Sequence, residues 1–227
     1  ESTQKITKAM EMVAAAKLKR FQKLREQTTP YVQTLEGVLN RLLGADIPPQ
    51  HPLLETREEK KTALLVITSD TGLCGSYNQS LVEEAKQFLN SPSPSPLPLK
   101  GGEDQGEGVR RQPLLIGVGK NGVHALSRAG HAWHQAFTDI KTAQLESVIT
   151  QTSSLIEMLF TEKKVDAVYA VYAHFTGKSV YRATTEKLLP FQLEASGDEP
   201  GETANLYLME PSREALFTRL IPLVFAA

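Results

Sequence analysis

The chain has 227 residues, 41% hydrophobic and 22% charged, with 25 Lys/Arg against 26 Asp/Glu and a formal net charge of −1. These values are globular averages, so wholesale disorder and collagen-like architecture are excluded, and no general attraction to nucleic acid or an anionic membrane is implied. No apolar run reaches the roughly 20 residues of a membrane-spanning helix, and the single Cys74 can close no internal disulfide, which fits a reducing compartment.

The first 44 residues read as one long helix. Ile6, Met10, Val13, Ala14, Phe21, Leu24, Tyr31, Leu35, Val38 and Leu42 recur at three- and four-residue steps. Ser2 or Thr3 offers an N-cap and Gly44 a stop, giving a helix of roughly 60 Å at 1.5 Å per residue. Pro30 is expected to be absorbed as a bend. Through Arg25 the helix carries seven Lys/Arg and two Glu, and this cationic surface reads as a solvated, partner-facing one.

"DIPPQHPLLE" breaks the pattern, and "KKTALLVITSD" has the continuous aliphatic run of a buried strand. "SLVEEAKQFLN" puts Leu81, Val82, Ala85, Phe88 and Leu89 on one helical face, and "PLLIGVG" is a second buried strand. Then follow a short helix in "GVHALSRAG", an edge strand in "HAWHQAF" and an amphipathic helix in "TAQLESVITQTSSLIEMLFTEK". "VDAVYAVYAHF", "KSVYRATTEKLLPF" and "NLYLM" complete a mixed sheet whose later strands are partly antiparallel. The Ser/Pro and Gly-rich stretch at 91–112 is expected to be a flexible surface loop. "EPSREALFTRLIPLVFAA" begins another helix, with Leu216, Leu220, Leu223 and Val224 on one side, and stops without a cap as though cut. The expected domains are a helix at 1–44, an α/β body at 45–209 and the start of a C-terminal helix at 210–227.

Gly117, Gly119 and Gly122 match G-x-G-x-x-G at a strand-to-helix turn, with Asp139 placed 22 residues beyond the first glycine. A dinucleotide site is one reading; the preferred one is a turn that packs a helix closely on a strand. Cys74 sits between Gly72 and Gly75, but His51, His124, His131, His134 and His174 are scattered, so a small buried residue in a tight turn is preferred over a nucleophile. Glu58 with Glu59, and Glu83 with Glu84, read as solvated pairs.

"STQKITKAMEMVAAAKLKRFQ", with "TSDTGLCGSYNQ", "GVGKNGVHAL" and "KLLPF…LYLMEPSREAL", resembles the gamma subunit of the F-type ATP synthase over nearly the whole chain. The resemblance implies an α/β fold in which long N- and C-terminal helices form an antiparallel coiled coil beside a Rossmann-like domain with a mixed sheet. It implies a central-stalk rotor that carries torque between the c-ring and the alpha and beta subunits, with the epsilon subunit as a further partner and no nucleic acid. No catalytic, cofactor-binding or metal-binding residue is implied, and the chain would be a non-catalytic subunit, peripheral on an energy-transducing membrane. By the same resemblance Lys5, Ile6, Lys8, Met10, Val13, Lys17 and Arg20 are rotor–stator contacts, and the small Ala14, Ala15 and Ala16 let the shaft turn in a sleeve. Thiol regulation of the chloroplast kind is not expected, since no cysteine lies between Thr184 and Leu208. Ser76 and Tyr77 depart from the small or aliphatic residues commoner in the family. Two other classes stay in view: an NAD(P)-binding oxidoreductase using the GVGKNG turn, and a scaffold that dimerises through its long helix.

Overall fold

The computed structural model describes residues 2–43, 51–91, 112–177 and 180–191, with Leu216 and Leu220 as isolated helical positions. The chain divides into two compact units, Glu1–Pro49 with Leu193–Ala227, and Gln50–Gln192. The strand expected at "NLYLM", the body of the 91–112 loop and most of the C-terminal helix lie outside the described residues.

In the first unit α1 runs unbroken over Ser2–Leu43 with Pro30 inside it. The helix already includes Ser2 and Thr3, which are therefore not its caps. Proline at position 30 removes one backbone donor, and threonine hydroxyls nearby fold back on the helix. Thr28 donates to the Leu24 carbonyl at 3.0 Å, Thr29 to that of Arg25 at 2.8 Å, and Thr34 to that of Pro30 at 2.7 Å. Such back-bonding satisfies the hydroxyls within the helix.

The second unit is a five-stranded sheet in the order β3-β2-β1-β4-β5. Its strands are β1 (Thr62–Ile67), β2 (Leu114–Val118), β3 (Trp133–Phe137), β4 (Ala167–Gly177) and β5 (Val180–Leu189), and its helices are α2 (Tyr77–Asn90), α3 (Lys120–Arg128) and α4 (Leu145–Thr161). The first four strands pair in parallel and β5 returns antiparallel to β4. β1 lies at the centre, and its Ala63, Leu64, Leu65 and Val66 are all buried, as a strand covered on both faces requires. Right-handed crossovers place α2 and α3 on one face and send α4 back across the other. Leu64, Val66, Leu115 and Val171 pack with Leu81, Val82 and Ala85 of α2 and Leu126 of α3. On α4, Val148, Thr152, Ile156, Leu159 and Phe160 are buried.

The edge position of β3 and the helical face of α2 agree with the periodicity. The acidic pairs do not. Glu59 accepts from the Tyr169 hydroxyl at 2.9 Å and from Lys187 Nζ at 2.6 Å, tying the segment before β1 to β4 and β5. Burial first, and the Glu59 contact second, hold the Tyr169 hydroxyl protonated well above the ordinary tyrosine range. Glu84 accepts from Thr185 at 2.6 Å. Only Glu58 and Glu83 are solvated as expected. Tyr77 also finds a reason, because its ring meets that of Tyr181 on β5 edge-on at 5.1 Å, while Ser76 Oγ lies 3.4 Å from the Tyr181 hydroxyl.

A strap ahead of β1 closes the α4 face. Leu53, in a 3-10 turn at Pro52–Leu54, is buried, and Arg57 stacks 4.5 Å above the Phe160 ring while donating to the Phe160 carbonyl at 2.9 Å. His51 caps that turn, its Nδ1 accepting from the Leu53 N–H at 3.2 Å. Burial lowers the His51 pKa, against a smaller opposing pull from Glu157. The neutral ring is thus favoured on folding, so its contribution is present above about pH 6.5 and is lost as pH falls through the lowered value. His51→Asn keeps a capping acceptor without the titration, and its melting temperature is expected to fall less between pH 8 and pH 5 than that of the wild type.

Candidate functional site

In an open α/β sheet the place to look for a ligand is the crevice beyond the carboxyl ends of the strands, where backbone N–H groups at a helix N-terminus await an anion. In this chain the first helical amides after β2 are taken by its own groups. The Lys120 N–H donates to Asp70 Oδ1 at 2.8 Å, the Asn121 N–H to the Ser69 carbonyl at 3.2 Å, and the Gly122 N–H to Thr68 Oγ1 at 2.9 Å. Asp70 also accepts from the Asp139 N–H at 3.0 Å and the Ile140 N–H at 2.8 Å. One carboxylate therefore sits where a pyrophosphate would, and ties the loop after β1 to the start of α3 and the end of β3.

The three glycines serve packing. A Cβ on Gly117 would stand 2.7 Å from Val123 Cγ2 and 2.8 Å from Trp133, and one on Gly122 would stand 2.6 Å from Thr68 Cγ2. Gly119 has φ +99°, and a Cβ there would lie 2.2 Å from the Thr68 carbonyl oxygen. Asp139 does follow the third strand, as a ribose-binding acid must, but it pairs with Lys120 at 3.2 Å. The motif is thus the close-packed turn that the sequence favoured, with its clamp on Thr68 across the sheet.

Cys74 is exposed, contrary to the buried position expected of it. Leu73 and Gly75, on either side, both have φ +61°, which turns the loop outward and leaves Leu73 itself 93% exposed. Asn78 Nδ2 lies 3.1 Å from the sulfur and also donates to Ser69 Oγ at 2.8 Å, so the neighbour of the thiol is a loop-ordering amide and not a base. Residues Thr68, Ser69, Asp70, Asn78 and Asn121, which organise this end of the sheet, were not singled out by spacing. Their one signal is the cluster of short hydrogen-bonding side chains after a buried strand.

α1 presents a different surface. Residues 3–27 are exposed on every side of the helix. Lys5, Ile6, Lys8, Met10, Val13, Lys17 and Arg20 all lie in this stretch, and Ile6 at 58%, Met10 at 50% and Phe21 at 42% are large apolar side chains open to solvent. Ala14, Ala15 and Ala16 are exposed as well, so the helix is narrow there. Further along, Thr28, Val32 and Val38 are half-buried and Leu35 is buried. Apolar side chains thus recur among cations along an exposed helix.

The sequence profile of the ATP synthase family (ATP-synt) matches residues 1–227. The ATP synthase gamma chain of Heliobacterium modesticaldum is 33% identical over 232 residues, covering 98% of this chain and 72% of its own length. That of Syntrophobacter fumaroxidans is 37% identical over 226 residues, with 98% and 72% covered. Among solved structures, the central stalk and c-ring of the Tetrahymena thermophila mitochondrial ATP synthase gives a TM-score of 0.55 at 23% identity, covering 97% of this chain and 88% of that one, a likeness in fold.

Proposed function

Because the chain belongs to the ATP synthase gamma chain family, we propose that it is the central-stalk rotor subunit of an F-type ATP synthase, carrying torque between an ion-driven c-ring and a hexamer of alpha and beta subunits. The observation that carries this reading is the exposure of α1 over residues 3–27. A lone helix with so many apolar side chains in water is poorly stabilised, since helices in proteins draw most of their stability from packing. Enclosure by partner subunits supplies that packing.

In this reading the shaft is completed by an antiparallel coiled coil between α1 and the C-terminal helix. Alanines at 14–16 combine high helix propensity with a small cross-section, so the shaft passes close to a sleeve wall. Lys5, Lys8 and Arg20 meet acidic groups of the surrounding subunits in exposed pairs that are weak enough to exchange during rotation. A single curved shaft cannot fit three like subunits alike, so each orientation favours a different conformation in each of them. The ATP chemistry belongs to the alpha and beta subunits. Among the described residues no helix is long and apolar enough to cross a membrane, and attachment to the energy-transducing membrane runs through the c-ring, with the epsilon subunit as a further partner.

Two measurements test the reading. The full-length protein is expected to co-purify with alpha and beta subunits as the minor component of an ATPase. Ala14→Trp is expected to lower coupled ATP synthesis about tenfold or more, equivalent to ~1.4 kcal/mol at the limiting step, while thermal unfolding of the α/β unit is unchanged. Full coupling in that variant would count against a close-fitting sleeve.

A further inference from the structure

The chain enters the α/β unit at Gln50 and leaves it at Gln192. Within that unit the two exits are neighbours. The Phe191 N–H donates to the Leu53 carbonyl at 2.8 Å, so the segment after β5 lies against the turn ahead of β1. Leu53 is 1% exposed, and Leu189 and Pro190, just before Phe191, are buried, so both exits are rooted in the core.

The strap ahead of β1 has two unlike ends. At one, Arg57 donates to the Phe160 carbonyl at 2.9 Å and to Glu55 at 2.6 Å, and Lys163 stands 3.6 Å from Glu55. A guanidinium keeps its charge, and the hydrogen bond from Arg57 lowers the Glu55 pKa, so this end keeps its charges between about pH 5 and 8. The His51 end does not. Its Nδ1 accepts from the Leu53 N–H at 3.2 Å, which requires the neutral ring with its proton on Nε2. A second proton would place an N–H on Nδ1, facing the Leu53 N–H. Glu157 on α4 favours the charged ring, but burial outweighs it. Glu55 and Arg57 on the strap and Lys163 after α4 are engaged with one another, and Phe191 on the β5 side brings no charge.

We propose that the segment His51–Arg57 is a latch holding the two exits of the α/β unit together, and that protonation of His51 Nδ1 opens it. With Nδ1 protonated the Leu53 N–H loses its acceptor, the 3-10 turn at Pro52–Leu54 loosens, and the Leu53 carbonyl releases the Phe191 N–H. The arginine end stays fixed, so the change is confined to the exits. The latch is closed above the ordinary histidine value near 6.5 and opens as pH falls through the lowered one. Its consequence rests on the rotor reading. The chain passes twice between its two units, so the latch sets how firmly shaft and α/β unit are joined, and acidification loosens the joint.

Hydrogen exchange of the full-length protein tests this, read as protection factors so that the pH dependence of the exchange chemistry cancels. Between pH 8 and pH 5 the Leu53 and Phe191 amides are expected to lose protection about three- to tenfold, the size of one lost hydrogen bond, while the amides of β1 keep theirs. In His51→Asn, whose acceptor does not titrate, that loss is expected to vanish. Constant protection of Phe191 in the wild type, or the same loss in His51→Asn, would overturn the latch. Binding to alpha and beta subunits is scored separately: a pH-dependent Phe191 amide in a protein that binds neither would sink the rotor reading and leave the latch standing.

Discussion

Gly119→Ala is expected to unfold the Gln50–Gln192 unit at ordinary temperatures, or to lower its melting temperature by about 10–15 °C, a loss of about 3–5 kcal/mol. Two costs add. The backbone at φ +99° and ψ 133° is a region that residues with a Cβ avoid. The added methyl would also stand 2.2 Å from the backbone oxygen of Thr68, an atom that cannot rotate away. Relief needs a separation of β1 from β2, yet the Thr68 N–H is bound to the Val118 carbonyl at 2.7 Å and the Gly119 N–H to that of Phe137 at 2.8 Å. Circular dichroism melting of the full-length protein checks the result. A Gly119→Ala protein that melts like the wild type would mean that this turn is looser than described. Gly75→Ala is a useful control, since a Cβ there meets nothing within 4 Å and only the positive φ opposes it.

Asp70→Ala is expected to cost about 2–4 kcal/mol, the loss of three charge-assisted hydrogen bonds partly made good by water. Asp70 holds the amides of Lys120, Asp139 and Ile140, and its charge faces the positive end of α3. Asp70→Asn keeps the size and one carbonyl acceptor, so about half of the loss is expected. Hydrogen exchange should localise the damage to the amides of Lys120, Asp139 and Ile140, with the α4 face still protected. Uniform loss of protection would show instead that this loop cluster is inseparable from the core.

Asp70 with the glycine turn locks the ends of β1, β2 and β3 together. The crevice where related architectures hold a ligand is here filled by the chain's own hydrogen bonds.

Periodicity alone determined much of this protein. "TALLVI" is a buried strand because four aliphatic residues in succession can be covered only in a sheet packed on both faces, and α2 declares its buried side through Leu81, Val82 and Ala85. The continuity of α1 through Pro30 was equally legible, since no turn residues flank that proline. The family resemblance rests on short runs such as "KITKAMEMVAAAK" and "TSDTGLCGSYNQ".

Tertiary structure decided the rest. Glu59 looked like half of a solvated pair, but Lys187 and Tyr169, more than a hundred residues away, half-bury it. Cys74 looked small and enclosed, yet positive φ angles on both sides turn it out to solvent. Asp70 gave no sign that it would meet residues 50 and 70 positions further on. Local spacing records which face of an element is apolar, because burial acts on every turn or every second residue. It does not record which distant polar groups meet, because those partnerships depend on strand order, and strand order is settled by the packing of the whole sheet.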